Sequence, residues 1–254
     1  TRVRSSAASD VYKRQEWSKI EDELAIDHTV YTVDLLGCGR SDKSSITYTN
    51  FVYVQMISDF IKKIIGQKTD VIASGFSGSF VTMACHNEKE LFNKIMLVNP
   101  PSLTQLKQMP NRKDRLLKAA LEIPIFGTLV YHMIVSRDNI NNLFIEKMYY
   151  NPFHVDNQMA DAYYEAAHKG GYYTRFLYSS LAAKYININI CHALKALDNS
   201  IYIVEGETEP NGKAVTDDYC ASNPAIEVSV LKETKHLPHV EAPEAFLEQV
   251  KIFF

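Results

Sequence analysis

Asp70-Val71-Ile72-Ala73-Ser74-Gly75-Phe76-Ser77-Gly78-Ser79 passes from a short apolar run into a stretch of small residues. Val71 to Ser74 has the length and composition of a buried strand, and residues 78–87 continue as a helix. Ser77 falls on the turn between them, with Gly75 and Ser79 two positions to either side. A tight strand-to-helix turn strains the residue at its apex, and small neighbours two before and two after let strand and helix approach. The helix N-terminus that follows offers unpaired N–H groups, and that of Gly78 is a candidate oxyanion donor. The same residues also describe a serine that merely caps a helix, and the local pattern does not separate the two.

Outward from this turn the chain keeps alternating strand and helix. Residues 16–26 read as a short helix with Trp17, Ile20 and Leu24 at helical spacing, and Val30 to Asp34 as a strand. Phe51, Val54, Ile57, Ile61 and Ile64 recur near a 3.6-residue period, which predicts one long amphipathic helix over 49–65. Lys94 to Val98, Ser200 to Val204 and Ile226 to Leu231 are further short apolar strands, and Pro243 opens a last helix to Phe254. Apolar strands between helices predict a mostly parallel α/β sheet covered on both faces. Between 102 and 195 the alternation stops and the pattern is all helix. There Pro124 starts one segment, Asp156 caps another, and Gly170-Gly171 ends it. The expected organisation is a core part at 16–101, a helical cap at 102–195 and a second core part at 196–254.

Composition narrows the function. The 254 residues carry a net charge of −3, with 46% hydrophobic and 22% charged residues. That is the balance of an ordinary globular protein, without the basic stripe that nucleic-acid binding needs. No apolar run reaches the length of a membrane span. Cys38, Cys85, Cys191 and Cys220 are far apart, so neither a metal site nor a disulfide framework is expected, and a cytoplasmic location is. Residues 1–15 have neither hydrophobic period nor the apolar core of a signal peptide. Asp10 to Gln15 back-translates into a sequence resembling the transposon end of sequencing-library adapters. The segment is therefore expected to be a non-native scar, the other reading being a disordered arm. Its basic residues leave the remainder more acidic, which argues further against anionic partners.

A second chemical group stands near the C-terminus. His236, between the last strand and the last helix, is placed to lean over the sheet edge and accept a proton. His239, on the run into that helix, is expected to be structural.

Taken together, Asp34-Leu35-Leu36-Gly37-Cys38-Gly39-Arg40-Ser41-Asp42, the turn around Ser77, Asn99-Pro100-Pro101 and His236 with Pro238, Glu241 and Pro243 resemble the α/β-hydrolase superfamily. The resemblance covers residues 16–254. It implies that Ser77 is the nucleophile, His236 the general base and 102–195 the cap over the substrate. The superfamily's order of nucleophile, acid, histidine points to Glu209 as the acid, with Glu207, Asp217 and Asp218 as alternatives. Lys235 before the histidine and Ser79 in the turn depart from the usual glycines. The resemblance further implies that strands preceding Trp17, and the loop carrying a second oxyanion donor, are missing.

The expected activity is that of a serine hydrolase acting through an acyl-enzyme on a small, largely apolar carboxylic ester, with no cofactor and no metal. Nine of the fifteen tyrosines fall in 102–195, Tyr131, Tyr149, Tyr150, Tyr163 and Tyr164 among them. Packing of the cap helices accounts for most; any that line the pocket would favour an apolar or aromatic acyl group. Carbon–carbon bond hydrolysis and cofactor-free perhydrolysis use the same triad. A non-catalytic ligand receptor would use the same fold.

Overall fold

The computed structural model describes residues 2–7, 15–155 and 157–254, with side chains from residue 16 onward. Its spine is a six-stranded, wholly parallel sheet: β1 (Arg2–Ala7), β2 (Val30–Asp34), β3 (Thr69–Gly75), β4 (Phe92–Val98), β5 (Ile201–Gly206) and β6 (Glu227–Leu231). The spatial order is β2-β1-β3-β4-β5-β6. β1 lies between β2 and β3, with Val3 opposite both Tyr31 and Val71. Arg2–Ala7 is therefore not a disordered arm, and a strand precedes Trp17 where the resemblance implied that none would. A segment with two arginines and two serines has no apolar period to announce a strand; the neighbours on either side supply the ladder.

Strand period decides what each face buries. On β3 and β4, Val71, Ala73, Ile95 and Leu97 face one apolar cluster, while Ile72, Met96 and Val98 face the other. The first cluster is covered by α2 (Asn50–Phe60) and α3 (Phe76–Asn87). The second is covered by α1 (Ser18–Ala25) and, at the far end of the chain, α13 (Pro243–Phe253). The predicted 49–65 helix is present, its last turn Ile61–Ile65 wound more widely and stopped by Gly66 at φ 70°.

Between β4 and β5 the chain is helical: α4 (Leu103–Leu106), α5 (Arg112–Glu122), α6 (Phe126–Ile134), α7 (Arg137–Leu143), α8 (Asn157–His168), α9 (Thr174–Ala182) and α10 (Cys191–Ala196). Pro124 lies in the turn between α5 and α6, and Gly170 at φ 108° follows α8. The cap assigned to Asp156 lies outside the described residues. After β5 come α11 (Gly212–Ser222) and the short α12 (Pro238–Glu241).

His239 is structural, as its position suggested. It is fully buried, its ring stacks on Trp17 at 4.2 Å, and its Nε2 lies 2.8 Å from Glu16 Oε1. On the other face, Phe80 of α3 is fully buried and stacks on Tyr53 of α2 at 4.9 Å, which locks the two helices together over the sheet. Phe80→Ala is expected to lower stability by about 3–5 kcal/mol. Urea unfolding, read from the midpoint at unchanged m-value, checks this.

Candidate active site

Three loops meet at the carboxyl ends of the strands, the edge where open parallel sheets place their ligands. The first follows β5. Glu209, three residues past Gly206, sets its Oε1 3.1 Å from His236 Nδ1. An ionised carboxylate only accepts, so this contact puts a proton on Nδ1 and leaves Nε2 as the basic nitrogen. The other carboxylates proposed for this role go elsewhere. Glu207 Oε2 accepts from Glu233 N at 3.0 Å, and Asp217 and Asp218 lie on α11.

The second loop carries His236 itself. Its backbone N–H donates to Met148 O at 3.1 Å, and Lys235 N–H donates to Glu241 Oε2 at 2.7 Å. Glu241 Oε1 also accepts from Tyr150 N at 2.7 Å. Burial pushes the Glu241 carboxyl above its ordinary range, against the pull of these backbone donors. Lys235, where the superfamily pattern has glycine, extends its Nζ to Glu146 O.

The third group is Asn99, at the end of β4. Its Nδ2 donates to Lys235 O and His236 O, each at 2.9 Å, and its Oδ1 accepts from Gly206 N at 3.0 Å. Asn99 holds φ 41°, a left-handed conformation that asparagine tolerates better than most residues. The sequence reading used Asn99 only as the close of a strand and missed its role. The signal available was an amide residue, rather than an aliphatic one, before Pro100-Pro101.

The strand-to-helix turn corrects the expectation for Ser77. β3 runs one residue further than its apolar pattern, to Gly75, and α3 starts at Phe76. The strained turn residue is Gly75, at φ 56° and ψ −134°, a conformation L side chains rarely adopt. Ser77 is the second residue of α3, fully buried, and its hydroxyl donates back to Ser74 O at 2.6 Å. Gly78 faces β4, where an added Cβ would stand 3.1 Å from Leu97 Cδ2. A cavity of about 310 Å³ is lined by Gly75, Phe76, Asn99, Glu209 and His236, among others, and by neither Ser77 nor Gly78. Residues 8–14, which follow β1, lie outside the described residues, and no second oxyanion donor is assigned.

None of the tyrosines among the described residues lines this cavity. Tyr131, Tyr149 and Tyr163 are buried in the core cluster, so they serve packing and leave the acyl group unspecified. All four cysteines are free, and among the described residues no group of His, Cys, Asp and Glu is arranged to hold a metal ion.

Residues 6–249 match the family model described as alpha/beta hydrolase family. The chain belongs to that family. The parallel sheet covered by helices on both faces is the α/β-hydrolase fold. Among solved structures it resembles a meta-cleavage product hydrolase from Pseudomonas fluorescens IP01, with TM-score 0.78 and 16% identity over 100% of this chain and 89% of that one. It is similar, too, to a bromoperoxidase from Bacillus anthracis, with TM-score 0.78 and 12% identity over 100% and 91% of the two chains. A thermophilic esterase from Thermogutta terrifontis gives TM-score 0.76 and 12% identity over 99% and 88%. At these identities the likeness is one of fold. No curated protein sequence matches.

The hydrolase's cavity holds one further carboxylate. Glu205, buried at the end of β5, keeps Oε2 without a hydrogen-bond partner, and burial raises its pKa. A carboxyl whose folded pKa is raised contributes most below its unfolded pKa, and that contribution is lost as pH rises through the folded value. Glu205→Gln removes the charge and keeps the shape. It is therefore expected to raise the urea midpoint at pH 7.5 and to leave it unchanged near pH 4.

Proposed function

We propose that this chain hydrolyses small, neutral carboxylic esters in the cavity beside Gly75, with His236 as general base and Glu209 holding its tautomer. The observation that carries the reading is the 3.1 Å contact between His236 Nδ1 and Glu209 Oε1 on a cavity whose strained turn residue is Gly75.

The glycine decides how the base is used. The turn offers no side-chain oxygen or sulfur at its apex, and the hydroxyl of Ser77 is buried and bonded to Ser74 O. Water attacks instead. His236 Nε2 takes one water proton as the water oxygen bonds to the ester carbonyl carbon, and the carbonyl oxygen becomes an oxyanion. The amide of Phe76, first in α3 and without an intrahelical acceptor, is placed to donate to that charge from the cavity wall. The carbon–oxygen bond to the alcohol then breaks, and His236 returns its proton to the departing alkoxide. No acyl-enzyme forms.

A base, an oxyanion donor and binding remain when a nucleophile is removed from such a site, and together they still give about 10³–10⁴-fold over water. Turnover is therefore slow, below the usual enzyme range of about 1–10³ s⁻¹. Gly75 also favours a second reading: a receptor that binds a carbonyl ligand against His236 without converting it. Multiple turnovers separate hydrolase from receptor.

With p-nitrophenyl acetate and butyrate, the wild type is expected to turn over repeatedly without a burst. His236→Ala should abolish the activity, and Glu209→Gln should lower kcat by about 10²-fold or more by freeing the wrong tautomer. Ser77→Ala should leave kcat within about threefold, because a buried hydroxyl bonded to its own turn takes no part in the chemistry. A fluorophosphonate probe should leave the wild type unlabelled and label Gly75→Ser, with that labelling lost in the Gly75→Ser/His236→Ala double variant. A wild-type burst with covalent capture at Ser77 would overturn water attack. Specific, saturable ester binding without turnover would establish the receptor.

A further inference from the structure

The α5–α6 pair is unusual for helices that cover a core. Part of its polar surface turns inward. Lys118 and Arg175 of α9 are buried, Lys118 Nζ pairs with Glu122 Oε1, and Ser179 Oγ donates to the same oxygen at 2.7 Å. Arg175 Nη1 adds a bond to Thr128 Oγ1 at 3.1 Å. Leu121 and Tyr131 turn inward, but most of the pair's large apolar side chains turn outward. Leu116, Ile125 and Met133 are exposed by 72%, 78% and 72%, and Ile123, Phe126 and Leu129 by about half or more. These six large apolar side chains, exposed within one helix pair, mark a binding surface rather than ordinary scatter.

The bend that presents them is built in. Gly127 approaches Leu121 O so closely that an added Cβ would stand 1.9 Å away, and Ile125 at the apex holds φ 68°. Together α5 and α6 have the length and apolar content of a membrane span, yet they are bent by 99°, and no single described helix is long and apolar enough to cross. A bent pair of this kind fits along a bilayer surface, not across it. Its flank is basic: Lys107, Arg112, Lys113 and Arg115 are all exposed. The one acid among them, Asp114, is engaged by Asn111 N at 3.0 Å and Lys184 Nζ at 3.2 Å.

We propose that the outer face of α5–α6 docks on an anionic phospholipid surface. The apolar side chains enter the headgroup boundary and the basic flank meets lipid phosphates. This local charge outweighs the acidic balance of the whole chain, because screening limits each charge to about 8–10 Å of reach.

The test is sedimentation of the full chain with vesicles of phosphatidylcholine alone and of phosphatidylcholine with phosphatidylglycerol. Binding is expected on the anionic vesicles and should weaken as salt rises. Phe126→Glu/Leu129→Glu should cut the partition coefficient by about tenfold or more. Lys113→Ala and Arg115→Ala should each cut it by about fivefold. All four positions are exposed, so melting temperatures should stay at the wild-type value, which separates lost docking from lost folding. No binding to anionic vesicles, or binding that these variants leave unchanged, overturns the proposal. So does a wild-type dimer in light scattering that Phe126→Glu/Leu129→Glu dissociates, without vesicle binding; the face then belongs to a second copy.

Discussion

One side chain, Asn99, holds the chemical end of this molecule together. Its amide reaches the ends of β4 and β5 and the loop of His236 at once, through two donated bonds and one accepted. Each bond is worth only about 1 kcal/mol net, but Asn99 is buried, and leaving a buried partner unsatisfied costs more than making the bond gains. Close backbone packing reinforces the clamp: an added Cβ at Gly206 would stand 1.9 Å from Lys235 O. The loop of His236 is thus fixed against the same strand that leads into Glu209. The 3.1 Å contact between them is a consequence of sheet geometry rather than of the two side chains finding each other.

Much of this arrangement was legible in the residues. Short apolar strands between amphipathic helices announced a doubly covered parallel sheet, because two-sided burial is the only state that suits Val71-Ile72-Ala73 and Ile95-Met96-Leu97. Glu209 was pointed to by the superfamily's order of nucleophile, acid and histidine, and His236 by its place between a strand and a helix; the structure sets the two 3.1 Å apart. What failed was register. Small residues at alternate positions run through Ala73, Gly75, Ser77 and Ser79, so the turn pattern fits in more than one frame. The hydroxyl at Ser77 chose the wrong one. Strand length breaks the tie, and β3 extends to Gly75, where the positive φ falls. β1 was invisible for a different reason. Its place is set by pairing on both edges, which is a non-local property that Arg2–Ala7 does not carry by itself.

The helices between β4 and β5 show a second place where local reading falls short. Periodicity says that a helix has an apolar side; it does not say which way that side points. In α5 the polar anchors Lys118 and Glu122, held by Arg175 and Ser179 of α9, claim the inside beside Leu121, and most of the other leucines and isoleucines of α5 and α6 are left facing out. The tyrosines were read mainly as packing residues of these helices, and Tyr131 indeed donates to Ala167 O at 2.8 Å inside the helical layer, while the cavity has walls of amide, carboxylate and proline.

The stack of Trp17 on His239 also bears on how the molecule comes to be made. Close by, Lys19 Nζ donates to Val240 O across 221 positions of chain. Contacts of such separation form late, since a long loop has to close before they repay its entropy. During synthesis α1 emerges long before α12 and α13, and its neighbouring indole lacks the rings of His239 and Phe246 until that segment leaves the ribosome. The base-bearing loop, three residues upstream of the His239 ring, is ordered in the same late step. A nascent chain therefore passes through a long interval with its sheet begun and its chemistry absent, exposed to chaperones and to aggregation, and it acquires both ends of its core together.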